Sequence, residues 1–181
     1  MAISCPETSC WNRLPAHLGG IRDDGEFHRN GILALLRNPA QLASLRAEPS
    51  GLSSAVEEFL RFESPLNIAT TRVTTVPVRI GEVEVPADEF VMIALVAANR
   101  DLHQFDEPDR LNIARNPNAH PAFGHGIHYC LGAPLARLEG EIALGRLLAR
   151  FETITLNDTA TLQDRNSTLM RGPQALPVRL D

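Results

Sequence analysis

Hydrophobic and polar positions follow one rhythm at the two ends of the ordered chain and another in its middle. From Gly31, "GILALLRNPAQLASLRAE" carries apolar residues at helical spacing. The Asn38-Pro39 step predicts a break into two helices, because proline suits a first helical turn. Leu42 and Leu45 share a face of the second piece at i, i+3. "SGLSSAVEEFLRFESP" predicts a further helix, with serines near its start and Pro65 as its stop. The period then changes. "IATTRVTTVPVRIGEVEVPADEFVMIAL" is rich in β-branched residues and predicts short strands, with turns at Gly81 and near Pro86. "NRDLHQFDEPDRLNIARNPNAHPA" is polar and broken by prolines, and predicts a long ordered loop. "LGAPLARLEGEIALGRLLARF" predicts an amphipathic helix of about five turns. Leu135, Leu138, Ile142 and Leu147 are expected on its apolar side. "FETITL" and "ALPVRL" are short strand candidates. The expected fold class is mainly α with small antiparallel β-sheets.

Residues 1–30 differ. They carry proline, paired glycines and scattered charges without an apolar period, and are expected to be irregular. The whole chain has 181 residues, enough for one domain with a sizeable core. A net charge of −5 argues against nucleic acid as a partner, and no basic run offers itself to an anionic membrane. The longest apolar run, "VMIALVAA", is too short to span a bilayer, and the N-terminus has no signal-peptide pattern. Cys5, Cys10 and Cys130 cannot build a disulfide framework in a chain of this length. These features predict a soluble, cytoplasmic protein. There are no repeats and no low-complexity segment.

The densest chemistry lies at Phe123–Arg137, "FGHGIHYCLGAPLAR". Cys130 precedes a predicted helix, whose unpaired N–H groups and positive dipole end stabilise an anionic sulfur. Gly124 and Gly126 permit positive φ and a close approach of the backbone to sulfur or to a flat ligand. A thiolate under a planar metal cofactor is the arrangement this favours. Two other readings stand beside it. Cys130 can be a buried structural residue of a turn. His125, His128 and Cys130, with His120, can be crowded around zinc, although the spacing lacks the paired pattern of tetrahedral sites.

The same stretch resembles the haem-binding loop of the cytochrome P450 monooxygenases, F-G-x-G-x-H-x-C-x-G-x-x-L-A-R. Phe123, Gly124, Gly126, His128, Cys130, Gly132, Leu135, Ala136 and Arg137 match every fixed position. The resemblance implies that Cys130 is the axial thiolate on the iron of haem b (iron protoporphyrin IX). Such a thiolate pushes electron density onto iron and favours O–O cleavage. It implies that Phe123 keeps the ligand loop dry and that His128 hydrogen-bonds a haem propionate. Arg72, in "IATTRVTT", resembles the second propionate partner.

Glu58 and Arg61 stand at i, i+3 on one predicted helix, which by itself describes an ordinary surface pair. "EEFLR" followed by "FESP" resembles the family's E-x-x-R helix, and Arg115 resembles the arginine that completes it. The resemblance implies a buried, structural Glu58–Arg61–Arg115 network that pins this helix to the cysteine loop.

The resemblance runs from Gly31 to the C-terminus and covers only the C-terminal part of the family's fold. The family's central oxygen-activating helix carries A-G-x-[DE]-T-T, which is absent here. "HLGGIRDDGEFHRN" stands in its place, and Arg22, Asp23, Asp24 and Glu26 are costly to bury unpaired. Written in degenerate codons and read one base later, residues 11–30 permit G-T-A-F-L-L-I-S-A-G-Y-E-T-T-V-N-F-I-G, which contains the missing motif. Residues 1–30 are therefore read as out of frame, and 31–181 as the haem-binding portion. The implied function is a haem-thiolate monooxygenase, inserting oxygen into a small organic substrate. A ferredoxin-type donor would dock on the cysteine side, steered by Arg137 and Arg146. Lacking the distal wall of the haem pocket, the chain as written better fits the alternative, an inactive haem-binding remnant without turnover. A zinc or interaction module is the third reading. Faces that meet absent helices are expected to be exposed as apolar patches.

Overall fold

The structure is a computed structural model and describes residues 23–157 and 161–181. Trp11, Cys5 and Cys10 lie outside the described residues, as does the irregular segment expected up to residue 22. The helices are α1 (Asp23–Arg37), α2 (Pro39–Ala47), α3 (Leu52–Phe62), α4 (Leu95–Ala98) and α5 (Ala133–Arg150). The strands are β1 (Arg72–Val73), β2 (Val78–Ile80), β3 (Val83–Val85), β4 (Phe90–Val91), β5 (Ile154–Leu156) and β6 (Val178–Leu180).

The helix break falls at Asn38, with Pro39 opening α2. Leu45 is buried and Leu42 packs against the same core. Helix α1, however, begins at Asp23, inside the segment expected to be irregular. Two contacts explain its extension. Phe27 joins the core beside Ile32 and Leu35 of the same helix. Glu26 is buried but not unpaired: Arg29 approaches it at 2.6 Å from one turn along, and Arg165 bonds it from the C-terminal segment. The unfavourable burial argued from sequence is offset by a partner 139 positions away.

Helices α1, α3 and α5 pack on one another around Phe27, Val56, Phe59, Leu60, Leu144 and Leu147. Each such side chain stabilises the fold by about 1.5–3 kcal/mol through removal from water. The core face of α5 is not the expected one. Leu147 is buried, but Leu135, Leu138 and Ile142 are exposed, and the face turned inward is Ala133, Gly140, Leu144 and Leu147. Gly140 decides this: a Cβ there would lie 2.7 Å from the Phe27 ring, so the glycine lets the two helices close.

The strands form three two-stranded antiparallel sheets, β1–β4, β2–β3 and β5–β6. Arg72 faces Val91 across the first, and Val78 faces Val85 across the hairpin that turns at Gly81. The two C-terminal candidates pair with each other, Ile154 opposite Leu180. The run "VMIALVAA" divides: its start is strand, and Leu95–Ala98 forms the single helical turn α4. Residues 99–122 form the long loop between α4 and the cysteine segment. Among the described residues no helix is long and apolar enough to cross a membrane.

Candidate functional site

The cysteine loop is closed by its own main chain. The Cys130 N–H donates to the Phe123 carbonyl at 2.9 Å, and the Ala133 N–H donates to the Cys130 carbonyl at 3.2 Å. Between them Gly126–His128 makes one tight turn, closed by the Tyr129 N–H on the Gly126 carbonyl at 3.1 Å. Gly124 and Gly126 have φ of +76° and +62°, a region that side chains other than glycine rarely enter. A Cβ at Gly124 would meet the His128 carbonyl oxygen at 3.1 Å, whereas one at Gly126 would meet nothing within 4 Å. The loop is thus tight underneath and open above.

Cys130 is a free, exposed thiol just ahead of α5, which Gly132 caps and Pro134 stiffens. Among the described residues the two most solvent-exposed large apolar side chains lie near it in sequence, Ile127 at 96% and Leu131 at 99%. One outward sulfur between apolar neighbours suits a flat apolar group whose metal needs one axial ligand. The donor set does not suit a bare metal. Among the described residues no group of three His, Cys, Asp or Glu side chains could hold one. His120 in particular bonds Glu57 at 3.0 Å.

His128 is exposed at the end of the tight turn. Arg72 sits on β1, and its guanidinium donates to the Thr70 carbonyl at 2.6 Å and to the Thr70 hydroxyl. Phe123 is half-buried against the core.

Glu58, Arg61 and Arg115 are brought together in full. Arg61 donates to both Glu58 oxygens at 2.8 Å, with both side chains wholly buried. Arg115 adds its Nε at 3.1 Å, the Asn112 N–H bonds Oε1 at 2.9 Å, and the Asn118 amide bonds Oε2 at 3.2 Å. The remaining guanidinium donors go to main-chain carbonyls of the long loop: Arg61 to Asn99 and Pro108, Arg115 to Asp106. Phe105 lies under both guanidinium groups, 5.2 Å and 6.0 Å from the ring centre. A carboxylate with this many donors satisfies the condition for a stable buried pair.

A second cluster, beside it, joins Phe123, His120 and Arg137 to two residues not among the expected site residues, Glu57 and Tyr129. Glu57 receives Arg137 Nε at 2.5 Å, Arg137 Nη2 at 2.9 Å and His120 Nε2 at 3.0 Å. Arg137 also donates to the Tyr129 hydroxyl at 2.8 Å and lies 4.7 Å over the Phe123 ring. Partial burial alone pushes the Glu57 carboxyl up. The hydrogen bonds from His120 and Arg137, with the arginine's charge, outweigh that and hold it down at about 2. The bond to Glu57 in turn pushes the Arg137 guanidinium up. Arg137 is therefore engaged by a carboxylate, not free to steer a partner, while Arg146 is exposed. The one signal in the sequence was the doubled glutamate before F-L-R, in which the first carboxylate has no use in the E-x-x-R pattern.

The cytochrome P450 family model matches residues 50–178. The chain is 53% identical over 151 residues to cytochrome P450 107B1 of Saccharopolyspora erythraea. It is 51% identical over 152 residues to vitamin D(3) 25-hydroxylase of Pseudonocardia autotrophica. These alignments take in 83% of this chain but 37% and 38% of the relatives, so it spans less than two-fifths of their length. Among solved structures, the ligand-free P450 monooxygenase TamI superposes with a TM-score of 0.85 at 49% identity, over 90% of this chain and 40% of TamI.

Proposed function

The chain belongs to the cytochrome P450 family, and we propose that it is the haem-binding portion of a haem-thiolate monooxygenase. The observation that carries the reading is the stance of Cys130: a free sulfur facing outward between Ile127 and Leu131, on a loop shaped by two left-handed glycines. Haem is the cofactor the family implies, and haem b is the form proposed here. Bound through sulfur, it supplies the activation of dioxygen for insertion into an organic substrate.

This chain's residues prepare that chemistry. Cys130 offers the sulfur, and the open end of α5 favours its negative charge. Phe123, packed on the core, keeps water from one side of the loop. His128 and Arg72 are the proposed propionate partners. The Glu58 network, tied to main chain of residues 99–115, fixes the long loop against α3. The proposed substrate is a small organic molecule, and the proposed electron source a ferredoxin-type donor on the cysteine side, with Arg146 available to attract it. The proposed location is the cytoplasm.

A second reading rests on the exposed apolar side chains: Phe90, Met92, Leu135, Leu138 and Ile142 stand in solvent. On that observation we propose as the alternative a haem-binding remnant that turns nothing over. Reconstitution with haem separates the cases. A red-shifted band in the reduced, carbon-monoxide-bound spectrum, with oxidation of added substrate, supports the monooxygenase. The band without oxidation supports the remnant. No band, or an unshifted one, overturns both. Residues 1–30 are proposed to be an out-of-frame reading, which the nucleotide sequence tests directly.

A further inference from the structure

We propose that Arg137 is a positioning residue: held by Glu57, it sets the stance of the cysteine loop through Tyr129 and Phe123. The guanidinium makes four attachments. Nε and Nη2 grip the two oxygens of Glu57 at 2.5 and 2.9 Å. Nη1 donates to the Tyr129 hydroxyl at 2.8 Å. Its face lies 4.7 Å from the centre of the Phe123 ring.

Tyr129 and Phe123 are the two residues best placed to govern Cys130. Tyr129 precedes it in the chain. Phe123 provides the carbonyl that accepts the Cys130 N–H at 2.9 Å. Their rings also meet edge to face, with centres 6.4 Å apart. One planar cation therefore holds both sides of the main-chain bond that fixes the sulfur's root. Glu57 is itself braced by His120, whose Nδ1 accepts the Ala122 N–H at 3.3 Å, one residue before Phe123. Helix α3 thus carries two adjacent carboxylates with separate tasks. Glu58 holds the long loop, and Glu57 holds the cysteine loop by way of Arg137.

The task needs arginine. A bidentate grip on Glu57 leaves one nitrogen and a flat face for the loop. Lysine keeps the charge but is a point donor without a face, so it can satisfy Glu57 or Tyr129 but not fix the angle between them. That the positioned sulfur serves haem iron rests on the haem-thiolate reading; the mechanical part does not.

The test uses the full chain and two variants, Arg137→Lys and Tyr129→Phe. Amide hydrogen exchange in the haem-free chain is read at Cys130 and at Asn112, whose N–H bonds Glu58 instead. Exchange at Cys130 is expected to rise about tenfold in Arg137→Lys and less in Tyr129→Phe, with Asn112 unchanged, as local opening requires. In haem-loaded protein the same variants are expected to shift the reduction potential and move part of the carbon-monoxide band to its unshifted position. Unchanged exchange at Cys130 in both variants overturns the proposal, whatever the spectrum. Equal rises at Cys130 and Asn112 in both variants also overturn it, because they mark general loosening. A selective rise at Cys130 in a chain that takes no haem supports the positioning role and removes the haem-thiolate reading instead.

Discussion

Glu57 and Glu58 are neighbours on α3, and each gathers arginine, yet they build different things. Glu58 is fully buried with Arg61, and five donors from four residues surround its two oxygens. The spare donors of its arginines end on main-chain carbonyls, so the cluster locks backbone to backbone. Glu57 keeps 28% of its side chain in water, and its arginine keeps 30%. The spare donor of that arginine ends on a side chain, Tyr129, beside the cysteine. Burial separates the roles. A sealed ion cluster fixes the fold and tolerates no loss, while a half-open one holds a loop and can be loosened without losing the fold.

The largest effect is expected from breaking the sealed cluster. Glu58→Gln leaves Arg61 buried against a neutral amide and is expected to lose about 3–5 kcal/mol. A loss of that size is a large share of a domain's stability and is expected to abolish cooperative urea unfolding. Next is Arg115→Ala, which removes one partner of Glu58 from a nearly buried position. A loss of about 1.5–3 kcal/mol is expected by chemical denaturation, the range for hydrogen bonds to a charged group.

Glu57→Gln should lose less, about 1 kcal/mol at neutral pH, because water screens the exposed part of the pair. Its signature is the pH dependence. The folded carboxyl sits at about 2, below its unfolded value. The stabilisation is therefore present above pH ~4.3, the ordinary glutamate value, and fades as pH falls toward 2. The stability gap between the parent and Glu57→Gln should close over that window, read from urea midpoints at successive pH values. The smallest effect belongs to Arg79→Ala. Its pair with Glu82 stands in solvent, with side chains 70% and 97% exposed, and a change under about 0.5 kcal/mol is expected.

Legibility in the sequence followed the reach of each interaction. The cysteine loop was readable because its glycines, cysteine and helix start lie within a few residues. Glu58 and Arg61 were readable from i, i+3 spacing, and Arg115 only through the resemblance, since it lies 57 positions from Glu58. The Glu57–Arg137 bond spans 80 positions; the doubled glutamate marks one end of it, but no local pattern joins the two ends. The extension of α1 through residues 23–30 depends on Glu26 meeting Arg165, again a distant partner. The core face of α5 departs from the expected one for a different reason. Apolar residues stand on both sides of that helix, and the close approach at Gly140, not the count of leucines, selects the buried one.

The most direct measurement is the absorption spectrum of the reduced, carbon-monoxide-bound protein after haem loading, compared between the parent chain and Cys130→Ser. The parent is expected to give the strongly red-shifted band of sulfur-ligated haem, and the serine variant to lack it. Identical spectra from the two would contradict the assignment of Cys130 as the iron ligand.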